Sequence, residues 1–159
     1  MKHLPKHIRP RWRYLAVGIE STPEAEIDRG AFQRELWYAA GNLLGDPGSA
    51  EADLTVYSFS FADGHGEAIV RVRRGETDPA RAAVACVSAI DGEPVGVFVR
   101  GISGTVRACE ERYLRSGAGD FEQRHVVFAD ATRQAVSRDE AIEISMPSGF
   151  VSATELDFE

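Results

Sequence analysis

Apolar and polar positions alternate from Arg13 to Ile19, placing Leu15, Val17 and Ile19 on one face and predicting a first strand. Ser21 to Glu26 is a polar loop containing Pro23. A helix then opens with Asp28 as its cap, and Ile27 and Phe32 are spaced as a hydrophobic staple. Phe32, Leu36, Ala40 and Leu43 form its apolar stripe, joined by Trp37 and Leu44, and Gly45 followed by Pro47 ends it. Leu54 to Phe61 is rich in β-forming residues and Glu67 to Arg73 alternates. Between them Asp63-Gly64-His65-Gly66 signals a hairpin.

Asp78-Pro79 opens a second helix, with a capping carboxylate before Pro, and its pattern runs to about Ile90. Val95, Val97 and Val99 mark a fourth strand. Ser103-Gly104-Thr105 leads into a last helix with Val106, Cys109 and Tyr113 on one side. The order β-α-β-β-α-β-α predicts an α+β fold. It is a ferredoxin-like or RRM-like βαββαβ sandwich, an antiparallel sheet with two helices on one face, carrying an additional C-terminal helix and an acidic tail. The expected division is a basic extended segment 1–12, an RRM-like domain 13–115 and an acidic extension 116–159. In the extension, His125 to Phe128 and Ile142 to Met146 read as short strands, without a pattern that sets an architecture.

A length of 159 residues suits one compact domain with an appendage. The chain has no apolar run of about 18 residues, so no membrane span is expected. The basic N-terminus lacks the apolar stretch of a secretory signal, so a cytoplasmic location is expected. Cys86 and Cys109 stand alone and are expected to be reduced core thiols. The net charge of −7 taken alone argues against a nucleic-acid partner, but its distribution reverses that. Residues 1–13 carry Lys2, Lys6, Arg9, Arg11 and Arg13 and no acid. Residues 116–159 hold 3 basic and 9 acidic side chains. Only Lys2 and Lys6 among the 18 basic residues are Lys, and this bias with the acid excess suggests a salt-loving host.

Two prolines keep the leading segment extended, and Trp12 sits between Arg11 and Arg13. Cations attract phosphates and an aromatic ring stacks on an exposed base, so this is RNA-binding equipment unless Trp12 packs on the domain instead. His3 and His7 have a metal-like spacing, but Pro5 interrupts it and no further ligand is close, so no metal site is expected. Arg100 to Arg107 holds a glycine-containing turn before a helix, whose free N–H groups suit phosphate. Ser103, Gly104, Thr105 and Arg107 are the candidates there. The alternative is a capped turn whose glycines serve backbone geometry. Arg71 and Arg73 share one face of the third strand, either solvated or against a partner. That strand lacks the RRM signature with its stacking aromatics. No nucleophile and base stand at a recognisable spacing, so no protein active site is expected.

The opening Leu4-Pro5-Lys6-His7-Ile8-Arg9, then Arg11-Trp12-Arg13-Tyr14-Leu15, and the later Ser103-Gly104-Thr105-Val106-Arg107 occur in a telling order. Over residues 1 to about 115 the chain resembles the protein component 2 family of archaeal ribonuclease P, related to a eukaryotic subunit of ribonucleases P and MRP. The resemblance implies an RRM-like subunit that supports a catalytic RNA in removing 5′ leaders from precursor tRNA. It implies pairing with protein component 3, a TIM-barrel subunit, with two copies of each in a heterotetramer. No cofactor would be bound by the protein, and Mg2+ would sit on the RNA. Two rival readings share the topology. An acylphosphatase-like enzyme needs a glycine-rich loop with Arg after the first strand, where this chain has Ser21-Thr22-Pro23-Glu24. A ligand-sensing domain would not need so basic a leader.

Overall fold

The computed structural model describes residues 4–114, 121–138 and 141–158. Strand β1 (Trp12–Glu20) leads through a loop into α1 (Arg29–Ala52), then β2 (Thr55–Ala62), β3 (His65–Arg73) and α2 (Thr77–Ala85). A small hairpin follows, β4 (Ala89–Ile90) and β5 (Glu93–Pro94), before β6 (Gly96–Ser103) and α3 (Val106–Tyr113). The main sheet has the order β2-β3-β1-β6, with β1 antiparallel to both neighbours. Each of the first two helices crosses from one strand to a parallel one two places away. This is the expected ferredoxin-like arrangement.

Local chemistry sets several boundaries. Asp28 accepts a hydrogen bond from the Ala31 N–H at 2.8 Å and caps α1. Asp63 and Gly64 turn the β2–β3 hairpin at φ 52° and 74°. A Cβ on Gly64 would meet the Ser21 and Thr22 carbonyl oxygens at 2.6 and 2.7 Å, so glycine is required there. The expected end of α1 at Gly45 is a kink, because Gly45 leaves the helical region (φ 71°, ψ 171°) and Asp46-Pro47 starts a second segment to Ala52. Helix α2 stops at Ala85, short of Ile90, and begins after Glu76, so Asp78 lies in its first turn without capping it. Val87 and Ile90 are buried and prolong the apolar pattern, but Asp91-Gly92 turns the β4–β5 hairpin.

The main core lies between the sheet and α1 with α2. Leu15, Val17, Ile19, Val56, Ala68, Val70 and Val72 face Phe32, Leu36, Ala40, Ala80, Ala83 and Val84. Phe32 is fully buried, and its truncation to Ala would cost about 3–5 kcal/mol. Trp37 and Leu43 do not join this stripe; they are 52% and 47% exposed. Helix α3 covers the opposite face of the sheet. Cys109 is buried with Ala16 and Ile69, and Val106 and Tyr113 pack against them. Gly101 makes room for the Tyr113 ring, which a Cβ there would approach to 2.3 Å. Cys86, expected in the core, is exposed.

The C-terminal region is an antiparallel meander in the order β10-β9-β8-β7, a structure richer than two short strands. Its strands are β7 (Phe121–Phe128), β8 (Ala131–Arg138), β9 (Ala141–Met146) and β10 (Gly149–Ala153). Ala135, Ile142, Ile144 and Ala153 form a small core of their own. The meander meets the first sheet at the β5–β6 corner, where the Phe150 N–H donates to the Val95 carbonyl at 3.1 Å. No helix among the described residues is long and apolar enough to cross a membrane.

Candidate nucleic-acid interface

The register of the main sheet gathers three separated stretches at one end. Trp12 at the start of β1 lies opposite Arg73 at the end of β3, and Tyr14 lies opposite both Arg71 and Ser103. The basic leader, the arginines of β3 and the Ser103-Gly104-Thr105 turn therefore meet, although about ninety positions separate the first from the last in the chain.

Lys2 and His3 lie outside the described residues. Lys6 begins a 3-10 turn, Lys6–Ile8, in a segment expected to be extended throughout. The Ile8 N–H donates to the Pro5 carbonyl at 3.0 Å and closes that turn. Arg9 is exposed, with Nε donating to the Leu4 carbonyl at 2.6 Å. Arg11 is exposed, and its carbonyl accepts from the Arg74 N–H at 2.9 Å. Backbone pairing thus ties the leader to the end of β3.

Trp12 belongs to β1 and not to a free segment. The Arg71 guanidinium lies 3.9 Å from its ring centroid and that of Arg73 6.0 Å away. The Trp12 ring is thus a platform for cations of the chain itself, worth about 0.5–2 kcal/mol per pair. It holds two positive groups at the sheet end. Arg71 is half-buried, and its Nε is buried with no hydrogen-bond partner among the described residues. Arg73 reaches Asp53 at 3.5 Å, an exposed contact that salt would screen.

Arg100 to Ser103 belong to β6, so the turn shrinks to Gly104 and Thr105. Ser103 is buried. Thr105 caps α3, its Oγ1 accepting from the Ala108 N–H at 3.2 Å. Gly104 is exposed, and an added Cβ there would meet only Arg13 Nη1 at 3.6 Å, an ordinary contact. Fold geometry therefore does not demand glycine at 104. Arg13 is half-buried, with Nη1 donating to the Trp12 carbonyl at 3.3 Å, and so stands between leader and turn. Arg107 is strongly exposed, and its Nε is engaged by Glu111 at 2.7 Å one helical turn on. Such a pair is worth about 0.3–0.5 kcal/mol, so a phosphate could displace the carboxylate.

Sequence reasoning did not single out Arg74 or Tyr57, and met Tyr14 only as part of the leader motif. Arg74 is exposed and extends the Arg71–Arg73 run. Tyr14 and Tyr57 meet edge to face, with centroids 6.1 Å apart. Tyr57 falls where the β2–β3 register shifts between Val56 and Ser58, so the alternation along β2 breaks at this residue and no regular pattern in the sequence marks its face.

The opposite end of the sheet has the opposite character. Glu20 is buried and accepts from His65 Nδ1 at 3.0 Å. Glu24, Glu26, Asp28 and Asp63 line an open hollow beside it. The meander docks at this end, with Gln123 Nε2 donating to Glu24 Oε1 at 3.0 Å. The nine residues of β1 keep it roughly 25–30 Å from the arginines.

Comparison with known proteins supplies the family. Residues 13–114 match the model of the Rpp14/Pop5 family. The chain is 62% identical over 159 residues, the whole of both chains, to ribonuclease P protein component 2 of Halorubrum lacusprofundi. It is 60% identical over 157 residues to the protein of the same name in Natronomonas pharaonis, covering 99% of this chain and 98% of that one. The likeness to ribonuclease P protein component 2 of Methanosarcina barkeri is 31% over 124 residues, 78% of this chain and 87% of that one. Neither the acylphosphatase-like nor the ligand-sensing reading finds support in these relatives. Matched along the whole sheet domain and along the full length of close relatives, the chain belongs to the Rpp14/Pop5 family of ribonuclease P protein subunits.

Proposed function

We propose that the chain binds the catalytic RNA of ribonuclease P through the basic end of its sheet and stabilises that RNA in a form that removes 5′ leaders from precursor tRNA. The observation that carries this reading is the convergence of Arg11, Arg13, Arg71, Arg73 and Arg74 with the Gly104 turn, away from the acidic end. Clustered guanidiniums release counterions from phosphates and fix the register of a backbone without reading its sequence. The chemistry belongs to the RNA, with Mg2+ held there to activate water, and the protein contributes charge and position. Its partners in this reading are the RNA and protein component 3, the TIM-barrel subunit. A second copy of the chain completes a heterotetramer, with precursor tRNA entering the holoenzyme in the cytoplasm.

The test is affinity capture of the tagged full chain from its host, followed by reconstitution. Copurification of one structured RNA, with leader removal by the reassembled particle and none by nuclease-treated protein, is the expected result. Sustained cleavage by the protein alone, or capture without RNA, would overturn the reading.

A further inference from the structure

Helix α3 closes the centre of the sheet face it covers. The central-strand positions, Ala16 on β1 and Ile69 on β3, are fully buried beneath it, and Tyr113 occupies the space above Gly101. An unpaired base cannot reach those positions. On the β2 side the same face stays open, and Tyr57 is 55% exposed there. A half-exposed phenol ring on an edge strand presents apolar area to water. The Tyr14 ring backs it at an interplanar angle of 79°, so it is held in place. Arg71 is the partner in register of both Tyr14 and Thr55, which puts the Trp12–Arg71–Arg73 stack beside this pair.

We infer that Tyr57, backed by Tyr14 and flanked by Arg71 and Arg73, stacks one unpaired base of the bound RNA while the arginines take the adjoining phosphates. A flat π-system bearing a negative charge is the ligand that an exposed aromatic beside guanidiniums complements. A nucleotide in a loop or bulge has that chemistry. The inference rests on the RNA-subunit reading above and gives it a site on β2. Sequence alone pointed away from the sheet face, because the stacking aromatics are missing from β3. They stand on β2 and β1 instead.

The experiment titrates the full chain with the catalytic RNA at several salt concentrations, for wild type, Tyr57→Phe, Tyr57→Leu and Tyr57→Ala. Thermal melting of each variant confirms equal folding. Phe keeps the ring and should bind as wild type does. Leu keeps apolar bulk without the π face, and both it and Ala should lose about five- to hundred-fold in affinity. Their log–log salt slope should stay at the wild-type value, since the arginines still hold every phosphate. Wild-type affinity in the folded Leu and Ala variants would overturn the inference and leave the RNA-subunit reading standing. Retention by Leu alone would overturn it too, by showing simple packing. Absence of binding by the wild-type chain would overturn both.

Discussion

Gln33 of α1 grips the backbone of Val56 on the edge strand β2: the Val56 N–H donates to Gln33 Oε1 at 2.7 Å. The same amide donates from Nε2 to the Leu54 carbonyl at 3.3 Å. Trp37 adds its indole N–H to Leu54 at 2.8 Å, and the Arg29 guanidinium donates to the Val56 carbonyl through Nε at 3.1 Å. Arg29, Gln33 and Trp37 recur every four residues, so one helix face covers the outward groups of a strand that has no outer neighbour among the described residues.

Replacing Gln33 with Ala should therefore destabilise the fold by about 1–2 kcal/mol, because the buried Val56 N–H loses its partner and the Leu54 carbonyl keeps only Trp37. Chemical denaturation checks this, and size-exclusion chromatography should show more self-association through the bared edge. Unchanged stability and unchanged size would mean that water replaces the amide fully.

The Gly104 turn yields a clean separation of folding from binding. Gly104→Ala should melt as wild type does, since the added methyl meets Arg13 at no more than ordinary van der Waals distance. Arg107→Ala should also melt within about 0.5 kcal/mol of wild type, losing one exposed pair with Glu111. If the turn approaches the RNA backbone, both variants should bind the catalytic RNA more weakly in titration. A steep loss of melting temperature with affinity intact would make the turn structural.

How much of this was legible in sequence depended on how local the determining chemistry is. The Asp28 cap and the Asp63-Gly64 turn act within a few residues and could be read directly. The end of α2 could not, because Val87 and Ile90 continue an apolar pattern at helical spacing while entering the core from a turn and a hairpin. Trp37 reads as stripe by its spacing, but its N–H needs an acceptor, which lies at the start of β2. The meander was half visible. Ala141–Met146 carries paired isoleucines, whereas β8 buries Ala135 and Val136 alone among its described side chains, and its turn at Ala129-Asp130 lacks glycine. The candidate interface was legible as three stretches. Their meeting, and the part of Tyr57, required the register of the sheet.

The two cysteines should differ sharply toward alkylating reagents. Burial, with a smaller contribution from the charge of Glu110, pushes the Cys109 thiol up to about 11, so it stays protonated at pH 8. Cys86 is exposed. Iodoacetamide at pH 8 should modify Cys86 alone in the folded chain and both in denaturant, as mass spectrometry would show. The raised value also means that stability from burying the neutral thiol is whole below about pH 9. It is lost as pH rises from there toward 11, so Cys109→Ala should weaken the alkaline fall in melting temperature.

Removing residues 117–159 should leave the sheet domain cooperatively folded but less stable. The meander has its own small core, and its docking covers Gly96 and the β5–β6 corner. RNA affinity should be retained, because the acidic meander docks at the end remote from the arginines. Loss of cooperative melting would show that the sheet domain cannot stand without it.

That the basic end of the sheet holds the RNA is tested most directly by the salt dependence of binding. The full chain with Lys6, Arg9, Arg11 and Arg13 all replaced by Ala is titrated with the catalytic RNA across a range of salt concentrations, beside the wild type. The predicted result is weaker binding at equal folding, with a log–log slope shallower by up to about one unit for each phosphate that the variant no longer neutralises. An unchanged affinity and slope in a folded variant would contradict this placement and move the RNA to another surface.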